Sequence, residues 1–282
     1  MRGVPSITIV YDHPRWEEKA IISALDAVGV QVRLLHLHSS TIEVAPGEGG
    51  VALQRSVSLS DALASTLALE TRGYLVVNSS ESIAVCGNKL WTLSRLVASG
   101  VPVPRTLVSF SLDQALRVAE KLGWPLVTKP LLGSWGRLVA RASDAEALRS
   151  ILEHREQMPG LFSRVHLLQE YVEKPGRDIR VFTLGEEPVV AIYRVSSHWI
   201  TNTSRGGRAE PAPIDPELED LASRAARALG GGFLGLDVFE DPVRGYLVNE
   251  ANAVPEFRNT VRVTGYPLHL RVAEHLVALA KR

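Results

Sequence analysis

The sequence predicts a three-part chain of mixed α/β and α+β class. It has an N-terminal unit with a parallel sheet over residues 1–88, a connector helix and small central α+β unit over 89–172, and a unit built on antiparallel strands over 173–282. Three observations carry this. In the first part, short apolar strands alternate with segments of helical periodicity, the pattern of a parallel sheet. In the middle, two strand–helix–strand blocks follow one another, their helices opened by capping boxes at Ser111-Leu112-Asp113-Gln114 and Ser143-Asp144-Ala145-Glu146. In the last part, consecutive strands place charged side chains two residues apart, hence on one face.

Taken in order, residues 7–11 form an apolar strand, and Trp16, Ala20, Ile21, Ala24, Leu25 and Val28 follow at helical spacing up to Gly29. Residues 32–37 and 51–53 read as strands, Ser60-Asp61 opens a helix that ends near Gly73, and 75–78 is a fourth strand. Residues 88–99 form a helix with Leu90, Leu93, Leu96 and Val97 on one face, stopped by Gly100 with Pro102 and Pro104 beyond. Strands at 106–109, 125–129 and 137–141 alternate with two helices, the second running through Leu152. Strands at 166–172, 178–184 and 188–195 precede a polar loop. Asp215-Pro216-Glu217 then opens a helix with proline at its first position. Two further strands and a closing helix from Pro267 complete the chain.

With 282 residues the chain can bury a sizeable core. Its 31 basic and 31 acidic residues cancel, which argues against a general polyanion binder such as a nucleic-acid coat. The single cysteine, Cys86, excludes an internal disulfide and fits a reducing compartment. No apolar run approaches the roughly 18 residues of a membrane span, and residues 1–6 lead into a strand rather than a signal segment. A soluble cytoplasmic protein is expected, with neither nucleic acid nor membrane as partner.

The residues that could do chemistry gather around Leu247-Val248-Asn249-Glu250-Ala251-Asn252. Glu250 and Asn252 share a face of their strand, and Asp237 sits inside the apolar run 233–239, where a carboxylate needs a partner. Antiparallel pairing would assemble Asp237, Glu250 and Asn252 into a set of hard oxygens suited to Mg²⁺ that shares phosphate oxygens. The same residues also fit a turn cap, with Asp237 paired to an arginine.

Lys129 ends an apolar strand and Lys89 opens a helix, where the helix dipole disfavours its charge. Both invite an anion, or lie as snorkelling surface lysines. Gly133-Ser134-Trp135-Gly136 between two strands resembles a phosphate flap, and equally an ordinary hairpin turn. Gln169-Glu170-Tyr171-Val172 is a strand end that could meet an adenine edge or simply pack in a core. Asp178 and Arg180 share a strand face with Arg194 on the neighbouring strand, a fork for phosphate or carboxylate or a surface ion pair. The loop 198–208 is too polar for a core.

Together these residues resemble the ATP-grasp fold over nearly the whole chain, and the run from Gln169 to Glu210 is similar to the LysX/ArgX group, related to RimK. In that fold the central unit is a lid. The resemblance implies an ATP-dependent carboxylate–amine ligase that joins 2-aminoadipate or glutamate to the C-terminal glutamate of a small acidic carrier, LysW, in lysine or arginine synthesis. Mg²⁺ would sit on Asp237, Glu250 and Asn252. The nucleotide would meet Lys89, Lys129, Gly133, Ser134, Trp135, Gln169, Glu170, Tyr171, Val172, Asp178 and Asn202, with Asp178 at the ribose. Arg194 and Arg180 would be catalytic. Arg194, Asn202, Arg205, Pro255, Glu256, Arg258, Asn259 and Thr260 would take substrate, with Arg208 and Arg262 also available for carboxylates. Asn259-Thr260 is similar to the aminoadipate type, while Asn88 and Ala253-Val254 depart from the pattern. A glutamate-using or dual-specificity enzyme, a RimK-like protein glutamate ligase and a non-catalytic ATP-binding regulator stay open as alternatives. A homo-oligomer, dimer or tetramer, is expected.

Overall fold

The structure, a computed structural model, describes residues 6–133, 136–160, 162–201 and 206–282. The N-terminal unit carries β1 (Ser6–Tyr11), α1 (Trp16–Ala27), β2 (Gln31–His36), β3 (Gly50–Gln54), α2 (Leu59–Thr71) and β4 (Tyr74–Val77), and its sheet runs β2-β1-β3-β4 with every pair parallel. Ile7, Ile9, Val51 and Leu53 are buried on these strands, as the apolar runs require.

Two helices join this unit to the next, α3 (Ser80–Gly87) and α4 (Lys89–Ala98). Asn88 caps α4, its side-chain oxygen accepting from the backbone N–H groups of Leu90 (3.1 Å) and Trp91 (3.2 Å). An aspartate would make the same cap, so this departure from the family pattern leaves the helix start intact. The central unit, β5 (Thr106–Ser109), α5 (Leu112–Ala119), β6 (Leu126–Lys129), β7 (Ala140–Ala142), α6 (Ala145–Glu156) and β8 (His166–Glu170), is an antiparallel sheet in the order β5-β8-β6-β7. Leu126, Leu148, Leu152 and Leu168 form its own core.

The last unit is a five-stranded antiparallel sheet, β11-β10-β9-β12-β13, from β9 (Arg177–Leu184), β10 (Glu187–Val195), β11 (Arg208–Ala212), β12 (Phe233–Asp241) and β13 (Gly245–Asn252). Helix α7 (Pro216–Ala228) buries Leu218, Leu221 and Ala225 against one face of it, together with Leu96 of α4. The chain ends with α8 (Arg258–Thr264) and α9 (Leu268–Ala280).

Four expectations are corrected. Helices α3 and α8 and strand β11 fall where no element was expected. The strand expected over 137–141 is only Ala140–Ala142, because residues 136–138 are in a turn with Leu138 at φ 58°. The strand expected over 166–172 ends at Glu170. The closing helix belongs to the first unit's core as much as to the last: Leu268, Val272 and Leu276 pack with Ile7, Ile21 and Leu25, and Phe182, Phe233 and Phe257 join the same cluster. Burying each of these large side chains contributes roughly 1.5–3 kcal/mol, so the first and last units are one packed body. Among the described residues, no helix is long and apolar enough to cross a membrane.

Candidate active site

Strands β12 and β13 put Asp237 directly across from Glu250 and Gly235 across from Asn252. The register shifts between Asp237 and Val238, so Asn249 is an extra residue in β13. A bulge breaks the in–out alternation and re-aims side chains. Its consequence is that consecutive residues serve one cavity: Lys129 donates to Asn249 Oδ1 at 2.9 Å, and Lys89 Nζ lies 3.2 Å from Glu250 Oε1. Both lysines are buried, not surface groups. Burial pushes Lys129 down to about 8, against the pull of Glu250. Burial also favours a neutral Glu250, but Lys89 and Lys129 outweigh it and hold its carboxyl below the usual range.

Asp237 is paired to arginines, as the alternative reading of the sequence had it. Arg180 forks onto both its oxygens, and Arg194 Nη2 reaches Oδ2 at 3.0 Å. Arg194 also grips Asp178 through two bonds of 2.6 and 2.8 Å. Burial disfavours the Arg194 charge, yet Asp237 and Asp178 raise its pKa beyond the ordinary guanidinium value. Thr201 donates to Asp178 as well, and Lys174 stands 3.6 Å away. The Asp178 carboxylate is thus occupied in holding Arg194. Gly235 makes room for this packing, because a Cβ there would lie 2.9 Å from the Pro255 Cβ and 3.1 Å from Arg180 Nη1.

Two cavities meet at these residues. Arg194, Asp237 and Glu250 line both. The narrower one is walled by Lys129, Gly136, residues 169–172, Lys174 and Trp199. Gln169 is buried and donates to Thr106, Glu170 accepts from the backbone of Arg105 and from Arg244, Val172 is buried, and Tyr171 stacks with Arg141 (5.3 Å) near Trp199. The Gly133 carbonyl accepts from Lys89 at 2.6 Å, which ties the loop after β6 to the start of α4. Ser134, Trp135, Asn202 and Arg205 lie outside the described residues.

The wider cavity, about 1030 Å³, lies on the other side of Glu250. Asn252, Pro255, Glu256, Arg258, Asn259, Thr260 and Arg262 line it. Arg208 does not: it is exposed on the edge strand β11 and pairs with Glu210. The opposite wall comes from the N-terminal unit, through Arg15, Trp16, Glu17, Ser56 and Val57. These lie beyond the carboxyl ends of the adjacent strands β1 and β3, the usual position of a site in a parallel sheet.

The chain matches the RimK-like ATP-grasp domain over residues 86–276 and the LysX preATP-grasp domain over residues 7–85. The chain belongs to the RimK-like ATP-grasp family. Among its relatives, an alpha-aminoadipate–LysW ligase, LysX, from Sulfurisphaera tokodaii is 45% identical over 95% of each chain. One of the same name from Sulfolobus acidocaldarius is 47% identical over 89% of this chain and 94% of the relative. A glutamate–LysW ligase, ArgX, from S. tokodaii is 36% identical over 98% of both. In structure, a RimK-domain ATP-grasp protein from Sphaerobacter thermophilus superposes with a TM-score of 0.80 at 25% identity, covering 96% and 98% of the two chains.

For an ATP-grasp site the donor set is apt. Among the described residues, no three acidic, histidine or cysteine side chains could hold a metal alone. Two carboxylates and the Asn252 carboxamide are an oxygen set that needs phosphate or water oxygens to complete a Mg²⁺ shell, and Asp237 would join it only by sharing oxygens now held by Arg180 and Arg194. Asn249, Lys174 and the N-terminal wall line these cavities without having been expected from the sequence. Asn249 is hidden by strict alternation, since only a bulge turns it toward Lys129. Lys174 lies in a turn-like Glu-Lys-Pro-Gly stretch between β8 and β9, and its ammonium sits 4.7 Å from the Phe239 ring on β12, a contact between residues far apart in sequence.

Proposed function

We propose that the protein is an ATP-dependent ligase that joins the α-amino group of 2-aminoadipate to the side-chain carboxylate of the C-terminal glutamate of LysW through an acyl phosphate. The observation that carries this is the seam of Arg194, Asp237 and Glu250 shared by two cavities, one lined by residues 169–172 and the other by Pro255, Glu256 and the first turns of α8. A triphosphate lying in the narrower cavity would end at that seam, facing an acceptor in the wider one.

Lys89 and Lys129 would hold phosphate oxygens, and residues 169–172 would meet the adenine. Asp237, Glu250 and Asn252 would hold Mg²⁺, which supplies charge neutralisation on the phosphates. Arg194, fixed by Asp178, and Arg180 would stabilise charge on the transferred phosphoryl group and on the tetrahedral centre formed when the amine attacks. Positive charge already in place costs no reorganisation during reaction. No side-chain nucleophile is needed, and Cys86, buried and pushed up to about 12 by burial, offers none. Arg258, Asn259 and Arg262 would meet the amino acid's carboxylates.

Higher identity to the aminoadipate ligases than to the glutamate ligase, and Asn259-Thr260 in the cavity wall, support 2-aminoadipate over glutamate. The two acids differ by one methylene, which a pocket distinguishes by roughly 10–200-fold. A steady-state comparison of both acids on LysW, read as ADP release, is expected to give a kcat/KM ratio in that range favouring 2-aminoadipate. A ratio favouring glutamate would reassign the substrate, and ADP release independent of the carrier would remove the ligase reading.

Nucleotide binding is expected to take up protons near pH 8. With free Lys129 at about 8, adjacent phosphates favour its charged form and raise that value. The sign follows: below about pH 7 the lysine is already protonated and ATP affinity is flat in this group, whereas above pH 8 Kd rises toward tenfold per pH unit. Calorimetry at pH 8 in two buffers of different ionisation enthalpy should show uptake of about half a proton. A buffer-independent heat would take Lys129 away from the phosphates.

A further inference from the structure

We propose that the N-terminal unit sets the amino-acid-binding loop in place, with Glu17 and Arg55 as positioning residues. The inference rests on the assignment of residues 255–262 to the amino-acid substrate. Helix α8 has Phe257 at its N-cap position, and that side chain gives it no cap. Its first backbone N–H groups therefore need acceptors from elsewhere. Glu17 supplies them: its Oε1 accepts from Phe257 N at 3.0 Å and from Arg258 N at 2.9 Å, across 240 residues of sequence.

One step earlier in the loop, the Pro255 carbonyl accepts from Arg55 Nη2 at 3.1 Å. Arg55 is completely buried, gripped by Glu18 Oε1 at 2.9 Å, and lies about 6 Å from the Phe233 and Phe257 rings. The strand end that bears it is itself fixed, because Asp12 accepts from Val57 N at 2.8 Å and from Ser56 Oγ at 2.8 Å. A chain of buried, charge-assisted bonds thus runs from the ends of β1 and β3 to the backbone of residues 255–258. Arg258, Asn259 and Thr260 follow directly and line the cavity, so their side chains are only as well placed as that backbone. A shift near 1 Å in such a loop can cost up to about 100-fold in reactivity.

The test separates placement from stability. Glu17→Ala should raise KM for 2-aminoadipate roughly tenfold while KM for ATP stays within about twofold, and Glu17→Gln, whose amide oxygen still accepts both N–H groups, should restore most of the loss. Amide exchange on the substrate-free variant should quicken at Phe257 and Arg258 before other α8 amides. Should Glu17→Ala fail to fold, Glu17→Asp, one methylene short of both N–H groups, serves for both measurements. Equal rises in both KM values, or unchanged exchange at those two amides, would overturn the positioning role. A wild-type enzyme that uses neither acid would instead remove the substrate assignment, and the exchange result then decides the placement claim by itself.

Discussion

Glu250→Gln is expected to lower ADP-forming turnover by about 10³-fold, or about 4 kcal/mol of transition-state stabilisation, with the protein still folded. The substitution keeps the shape and one carbonyl oxygen of the side chain, so what is lost is charge. Glu250 faces Lys89 and Lys129 at the seam of the two cavities and stands across from Asp237. With a neutral amide there, the two lysines have lost their nearest anion, and a divalent cation held at this site would lose one of two carboxylates. Lys129 can shed its proton, having a value already near 8, which spares the fold an uncompensated charge. The half-saturating Mg²⁺ concentration should rise alongside the fall in kcat. Turnover near the wild-type rate would strike out the metal assignment, and a thermal midpoint lowered far enough to unfold the variant at assay temperature would make the loss structural.

That a positive group stands close to Glu250 was legible in the sequence, and the reason is local. A carboxylate two residues from Asn252 on a strand, near an aspartate inside an apolar run, already specifies that something positive must be close. The strands of the N-terminal sheet and the helices of the central unit were equally legible, since their periodicity and capping residues lie within a few positions of one another. What escaped depends on distant partners. Helix α8 has seven residues and takes its cap from Glu17 in another unit, so nothing in its own stretch announces a start. Strand β11 contains Pro211, which argues against a strand, and it exists because β10 offers an edge to pair with. Helix α3 is a two-turn segment between a strand and a longer helix, too short for periodicity to separate from a loop. Asn249 reached the site through a bulge, a change of register that no alternation rule anticipates. Arg15 and Glu17 at the start of α1, and Arg55 just past the end of β3, belong to no local motif, and only the return of residues 255–258 onto them reveals their role.

Arg194→Met should damage fold and chemistry together, and pH separates the two. The side chain holds Asp178 through a two-bond fork and touches Asp237, so its removal leaves two buried carboxylates short of a cation. Breaking one side of such a pair costs about 3–5 kcal/mol. Because Asp237 keeps Arg180 and Asp178 keeps Lys174 and Thr201, the lower end applies, a drop of about 6–12 °C in Tm. In the wild type, burial pushes the Asp178 carboxyl up but Arg194 outweighs it and holds it below its usual value. That stabilisation is present above about pH 4 and lost as pH falls through the lowered folded value. In the variant, burial meets less opposition and the value moves up, so protonation relieves the fold as pH falls. The Tm deficit should therefore shrink between pH 7.5 and pH 5. Arg194→Lys restores a cation without the planar fork. It should recover much of the Tm while kcat stays down by about 10²-fold, because one ammonium cannot hold Asp178 and face a transferred phosphoryl group at once. A pH-independent deficit would mean that the lost stability is packing alone. Full turnover in the lysine variant would leave Arg194 no part in the chemistry beyond its charge.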